Sequence, residues 1–367
     1  MKKQFPEYYR IGKEDLHRQF KNLIFIFDAN ALLDIFRLDE SITNEIFEVM
    51  ERYSSQIVIP HHAAEEYNKN IHSVLQKQLD NIDAAQRAFK SFTQLLEAKR
   101  NQPYISANSN RKLNALKKSI QQDFQMQRDY LLDQLVHGEL QNKMIELLNN
   151  KVLPAFTEDE LERIKVEGSK RYEQKIPPGW KDNSKGENSY GDLINWKEIL
   201  RFAVKNQKSI IFITNDQKED WMCECQGKAI CPHYELLREF YQTVGNTKLI
   251  FHIYTLDRFL AFVHDENHDL VSKETAEQVY DVLYDNQYSA LIDSIMRLQE
   301  SYAKINEISK TYHKYYTLKN DKFVFDLEET NKNIIVSTDK IDNASPLKSG
   351  YILDKETTSL HQCIEKQ

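Results

Sequence analysis

Two acidic residues each stand at the end of a short apolar run, and their placement suits the binding of a hard divalent cation. Leu23-Ile24-Phe25-Ile26-Phe27 ends at Asp28, and the run from Ser209 to Asn215 ends at Asp216. Continuous apolar runs of this length read as fully buried parallel strands. In an open α/β sheet, ligand sites gather outside the carboxyl ends of such strands. Carboxylates delivered there from distant parts of the chain offer the oxygen ligands that Mg²⁺ and Mn²⁺ take. Taken singly, each Asp has an ordinary alternative as the cap of the helix that follows. Glu66, on a helix after Pro60, has the alternative of a solvated surface acid, and Asp192, ahead of Leu193-Ile194-Asn195-Trp196, that of an N-cap; Asp220 adds a further oxygen close to the strand end. The set carries the reading, with Asn30 and Thr214 beside the strand ends to orient ligands or water. Lys218 could reach a phosphate or pair with Asp220.

The elements that must position these residues alternate. Strand 23–28, helices over 31–36 and 39–53, strand 56–59 stopped by Pro60, and a helix from His61 to Asn70 give the rhythm of a parallel α/β sheet. From about 71 to 169 that rhythm stops. The spacing of Leu75, Leu79, Ile82, Leu131, Leu132 and Leu135 predicts long helices, broken near Asn101-Gln102-Pro103, inserted over the sheet. The rhythm resumes with helix 192–206, strand 209–214, helix 233–243, strand 248–253 and helix 256–264. Beyond about 269 the composition shifts: 275–310 reads as helical, 323–337 has β-like alternation, and roughly the last 30 residues are polar without a period. The expected division is 1–268 and 269–367.

The chain has 367 residues, 41% apolar and 29% charged, which suits a globular protein with ample core. No run approaches the ~18 apolar residues of a membrane helix, and Met1 to Pro6 has no apolar segment behind it. With four cysteines, a reducing cytoplasm is the expected location. The net charge of −7 means that any grip on nucleic acid must come from a local basic patch.

One such patch is the loop before Asp192, where Lys170, Arg171, Lys175, Lys181 and Lys185 mix with Tyr172, Trp180 and Tyr190. Basic and aromatic residues together suit a single strand, through phosphate contacts and base stacking, although Glu167, Glu173, Asp182 and Glu187 dilute the charge. Arg171, Lys175, Trp180, Lys181 and Lys185 are the expected substrate contacts. Cys223, Cys225, Cys231 and His233 form a C-x-C-x5-C-x-H group; its C-x-C spacing is a poor match to structural zinc, so reduced thiols are expected. Nucleophile-elbow, Walker and dinucleotide-binding glycine motifs are all missing from the sequence.

Four stretches taken in order resemble the acidic motifs of PIN-like nuclease domains: FDANALL at 27–33, IVIPHHAAEEY at 57–67, YGDLINWKEIL at 190–200 and FITNDQKEDW at 212–221. The closer likeness is to bacterial PIN-like proteins with a long helical insertion, through Arg171-Tyr172, Ile176 to Asp182, Tyr190-Gly191-Asp192 and Tyr254-Thr255-Leu256-Asp257. The resemblance spans about residues 5–265. It implies an α/β three-layer domain with a central parallel sheet, a large helical insertion and a mixed C-terminal region. It further implies a metal-dependent nuclease using Mg²⁺ or Mn²⁺, with Asp28, Glu66, Asp192 and Asp216 as metal and catalytic residues and Asp220 as an outer ligand. Glu65 adjoins Glu66, and only the spacing from Pro60 favours Glu66. The implied partner is single-stranded nucleic acid, RNA above DNA, in a toxin, RNA-processing or phage-defence setting. The C-terminal region is left for assembly or a protein partner. The rivals are a PIN-like module that binds without cutting and a small-molecule phosphohydrolase; Asp28-Ala29-Asn30 lacks the Asp-x-Asp of the haloacid-dehalogenase type. If the four acids converge, neutralising one is expected to leave metal-free stability unchanged or higher.

Overall fold

The computed structural model describes residues 1, 4–97, 105–182, 189–226 and 228–284, together with three later strands. The chain divides into two compact units, 1–285 and 286–367. In the first, α1 (Lys13–Gln19) precedes β1 (Leu23–Phe27), and α2 (Ala29–Ile35) and α3 (Glu40–Arg52) lead to β2 (Ile57–Val58). Helices α4 (His61–Leu96), α5 (Ala107–His137), α6 (Glu139–Leu148), α7 (Glu158–Glu173) and α8 (Gly191–Asn206) intervene before β3 (Ser209–Ile213). A hairpin of β4 (Met222–Cys225) and β5 (Lys228–Pro232) follows, then α9 (Tyr234–Val244), β6 (Phe251–Tyr254), α10 (Leu256–Glu266) and α11 (Lys273–Tyr284).

The central sheet has the order β2-β1-β3-β6 and is parallel throughout. Both of its faces are covered, which explains the unbroken apolar runs. Alternate residues of one strand feed opposite cores: Phe25 and Phe27 pack with α2, α3, α4 and α10, whereas Ile26 packs with α8 and α9. Ile211 and Ile213 divide from Ile210 and Phe212 in the same way.

The chain leaves β1 toward β2 on one side and returns to β3 on the other, so the strand order reverses between β1 and β3. The crevice at such a reversal, outside the carboxyl ends, is where open α/β sheets bind ligands.

The expected boundary between a helix 61–70 and an insertion from 71 does not exist. α4 is one helix of 36 residues, because no Gly or Pro interrupts it and Ile71, Val74, Leu75 and Leu79 continue the buried stripe. It pairs antiparallel with α5, tied by Lys117–Glu97 at 3.2 Å and by Arg128–Asp83. The expected break at 101–103 lies outside the described residues. The β4–β5 hairpin was not anticipated from the sequence; alternation in Met222-Cys223-Glu224-Cys225 was its only signal.

α11 packs in the first unit, with Val279 fully buried and Ala276 nearly so, and the unit therefore continues past residue 268. Residues 285–310, most of the expected helix there, fall outside the described residues, as do the last 30. The β-like stretch forms β7 (Tyr316–Lys319), β8 (Lys322–Phe325) and β9 (Ile334–Val336), an antiparallel sheet. Among the described residues no helix is long and apolar enough to cross a membrane. Removing 286–367 is expected to leave the melting transition of the first unit and any metal response intact, since no candidate ligand lies there. A truncated protein that folds but no longer responds to metal would overturn this.

Candidate active site

The register of β1 against β3 pairs Phe27 with Ile213, so Asp28 and Thr214 emerge level at the same sheet edge. The Asp28 N–H donates to the Ile213 carbonyl (2.9 Å), carrying the ladder one residue past the strand. Asp28 also caps α2, its Oδ1 accepting from the Ala29 N–H (2.9 Å). Its Oδ2 lies 2.7 Å from Asn30 Nδ2 and 2.9 Å from Thr214 Oγ1. Asn30 Oδ1 accepts the Asn215 N–H (3.0 Å), which fastens the two strand ends together.

Asp192 stands in the first turn of α8. A Cβ on the preceding Gly191 would meet His62 Nε2 at 2.8 Å and Glu66 Oε1 at 3.7 Å, so glycine allows α4 to lie directly against this turn. Glu66 thereby lies beside Gly191 and its charge is felt at Asp28, whereas Glu65 is exposed and bound to Lys69 at 2.7 Å. Asp216 accepts the Lys218 N–H (3.1 Å), and the Lys218 ammonium lies 2.6 Å from Asp216 Oδ2 and 3.1 Å from both oxygens of Asp182. Asp220 is fully buried. Its Oδ2 accepts from Gly179 N (3.1 Å) and Lys181 N (3.2 Å), bracing the segment that lies against Asp192. Gly179 has φ of +92°, and a Cβ there would fall 2.5 Å from the Tyr172 hydroxyl and 3.2 Å from Asp192 Cβ.

The electrostatics are those of carboxylates held close together. Burial, with the charges of Glu66 and Asp216, pushes Asp28 up to about 7 against the pull of Thr214 and the Ala29 N–H. Burial, then the charges of Asp28 and Asp216, hold Asp192 well above the usual carboxylate range. Asp220 is raised, chiefly by burial. Burial pulls Lys218 down, but the bond to Asp216 and the charges of Asp216 and Asp192 outweigh it and keep the ammonium protonated.

Among the described residues, no three His, Cys, Asp or Glu side chains form a ready-made cage for an ion as they lie. Lys218 instead serves as the counter-charge between Asp216 and Asp182. The donor set nonetheless fits a hard cation. Asp192 Oδ2 and Asn195 Oδ1 are buried oxygens without a hydrogen-bond partner, and Asn195 Nδ2 points at Asp28 Oδ1 (3.4 Å). Oxygens of this kind match the ligand preference of Mg²⁺ and Mn²⁺.

Three neighbours escaped the sequence reading. Asp182 reads in the sequence only as a charge diluting the loop; Asn195 and His62, whose buried Nε2 makes no hydrogen bond and lies 3.7 Å from Glu66 Oε1, carry no motif that singles them out. One expected contact is corrected. Arg171 is buried and bound bidentately to Glu239 (2.9 and 2.7 Å), to Glu167 (3.0 Å) and to the Pro177 carbonyl, so it cannot meet substrate. Trp180, Lys175 and Lys181 remain at the surface, with the two ammonium groups 5.5 and 5.0 Å from the indole centre; Lys181 also pairs with Glu219 (2.5 Å). Lys185 lies outside the described residues. Cys223 and Cys231 face each other across the hairpin as free thiols, Cys225 is exposed, and His233 Nδ1 caps α9. A wide groove between α7, α8 and α9 is lined by Phe156, Arg163, Arg201 and Lys205 and by none of these acids.

A family profile described as a PIN-like domain matches residues 24–236, which contain β1, β3 and all of these acids. No curated protein and no solved structure matches the chain. The profile covers more than half of the sequence and the four-stranded parallel sheet is consistent with it; the chain belongs to the PIN-like domain family, whose members are in general metal-dependent nucleases.

Proposed function

We propose that the protein is a divalent-metal-dependent nuclease hydrolysing phosphodiester bonds in RNA. The observation that carries this reading is geometric: Asp28 after β1 is bound to Thr214 after β3 and to Asn195 of α8 at the carboxyl edge of the sheet, where Asp192 Oδ2 and Asn195 Oδ1 are left without hydrogen-bond partners. Asp28, Glu66, Asp192 and Asp216 are the residues that would hold Mg²⁺ or Mn²⁺. Such an ion, when bound, activates water and relieves charge on the leaving oxygen.

The chain's own residues account for the remainder. Thr214 and Asn30 fix the Asp28 carboxylate, and Asp220 braces the 179–182 segment that carries Trp180. The indole between Lys175 and Lys181 suits stacking of an unpaired base with a phosphate close by. Lys218, held between Asp216 and Asp182, would supply positive charge to a phosphate bound at these acids.

The test is cleavage of labelled single-stranded RNAs in Mn²⁺ by the parent, Asp28→Asn and Asp192→Asn. The parent should cut, and each variant should lose more than about 100-fold, since even outer-shell changes at metal sites cost 10–100-fold. Equal cutting by all three proteins would overturn the reading. Binding without cutting would leave a silent RNA-binding module.

A further inference from the structure

The charges on the α4–α5 hairpin are segregated along its length. In the half nearer the sheet (61–86 and 119–137), seven carboxylates outnumber three Lys or Arg. In the distal half, Arg87, Lys90, Arg111, Lys112, Lys117 and Lys118 meet the single carboxylate Glu97, with Asp123 just below the boundary. Glu97 is engaged by Lys117. The other five cations are exposed, and no carboxylate among the described residues pairs with them. Phe92 lies among them, 55% exposed on α4. In a protein of net charge −7, five exposed cations without a paired carboxylate make a local basic patch.

Helix packing does not require this pattern. The seam between the two helices is made by apolar residues and by the Lys117–Glu97 and Arg128–Asp83 pairs, while the five unpaired cations face solvent. Like charges at this density repel one another, and a polyanion relieves that repulsion by releasing its own counterions. Phosphodiester backbone is the polyanion that matches the proposed activity.

We propose that the distal end of the α4–α5 hairpin is a second nucleic-acid contact, gripping the backbone of the substrate at a fixed distance from the scissile bond. This rests on the nuclease reading. The distance follows from the geometry of α4, which is continuous from Glu66 at the acidic site to Lys90. At 1.5 Å per residue the cations begin at Arg87, about 32 Å away along the helix axis, with Lys90 at about 36 Å. At a helical rise of 3.4 Å per nucleotide, a strand must extend about 9 to 11 nucleotides past the cleavage point to reach them. The acidic stretch between repels backbone and leaves two separate points of attachment.

The test uses the full chain carrying Lys90→Glu, Lys112→Glu and Lys118→Glu together, with a second variant bearing Gln at the same positions. Binding of labelled RNAs of about 6 and about 24 nucleotides is measured by anisotropy in EDTA across a salt series, where three lost phosphate contacts should lower the slope by about 2 for single strands. The parent should bind the long RNA at least 10-fold more tightly than the short one. Both variants should lose that advantage and keep the short-RNA affinity and the parent melting temperature. Cleavage in Mn²⁺ should lose its length preference in parallel. Parent-like binding of the long RNA by both variants would overturn the proposal, as would a parent that ignores length. Arm-dependent binding by a parent that never cuts would uphold the second contact and remove the nuclease reading instead.

Discussion

Replacing Asp192 with Asn is expected to raise the metal-free melting temperature and to erase the response to Mg²⁺ or Mn²⁺. The Asp192 carboxylate is buried beside Asp28 and Asp216, its Oδ2 has no partner, and burial and those charges drive its pKa well up. The amide removes the ionisable group without opening a cavity, so the folded state no longer holds charges that the unfolded chain keeps apart. The parent should gain about 2.7 kcal/mol when metal exceeds its Kd 100-fold, and each kcal/mol corresponds to about 2–4 °C in a domain of this size. The variant should gain almost nothing. A variant melting well below the parent in EDTA, or gaining equally from metal, would mean that these acids do not act as one site.

The structure separates Asp192 from Asp28 in this respect. Asp28 accepts from the Ala29 N–H and from Asn30, Thr214 and Asn195, so an amide placed there would turn a donor toward donors. Asp28→Asn should therefore lose metal response and also some stability. The expectation that neutralising any one acid is harmless narrows to Asp192.

The pH dependence has a definite sign. Asp28 titrates at about 7 in the folded protein against 3.8 unperturbed, so between those values the folded state holds more protons than the unfolded one. Its contribution to metal-free stability falls as pH rises from about 4 to about 7. His252, lowered to about 4 by burial, acts in the opposite direction over a similar range. The difference between parent and Asp192→Asn isolates the acidic site: it should widen as pH rises.

The second large effect is structural. Arg171→Met should cost about 1.5–3 kcal/mol, because it takes the bidentate partner from the half-buried Glu239 carboxylate and leaves it only Lys197 and Trp196. Burial alone would raise Glu239, yet Arg171, Lys197 and Trp196 hold it down to about 2. That stabilisation is present above about pH 4.5 and lost as pH falls toward 2, so the deficit of Arg171→Met should shrink in acid. Converting Glu239 to Leu in the same protein should restore part of the loss. A thermal melt of Arg171→Met within about 2 °C of the parent would contradict the account.

The parts legible in sequence were those where type and spacing decide the outcome. Buried parallel strands need unbroken apolar runs, and a chain that must turn at a strand end leaves Asp28 and Asp216 at the edge. Arg171 was misread because a basic residue next to a loop looks the same whether it faces water or Glu239, 68 residues away. Lys218 was legible as a neighbour of Asp216, but its position between Asp216 and Asp182 depends on how the 179–182 segment folds back. His62 and Asn195 matter through burial alone, and burial is a property of the assembled fold. The continuity of α4 could have been read from the absence of Gly and Pro over 61–96, had the rhythm of strand and helix not suggested a boundary at 70.

The pairing of β1 with β3 also sets a clock. Asp28 and Thr214 are 186 residues apart in the chain, yet they share a hydrogen bond. During synthesis at 5–20 residues per second, Asp28 leaves the ribosome roughly ten seconds or more before its partners exist. The α4–α5 hairpin, built from nearby contacts, can form within that interval; the central sheet cannot, since its middle pair closes the longest loop. On the nuclease reading proposed above, a nascent chain therefore lacks its assembled acidic site until translation has passed Asp216.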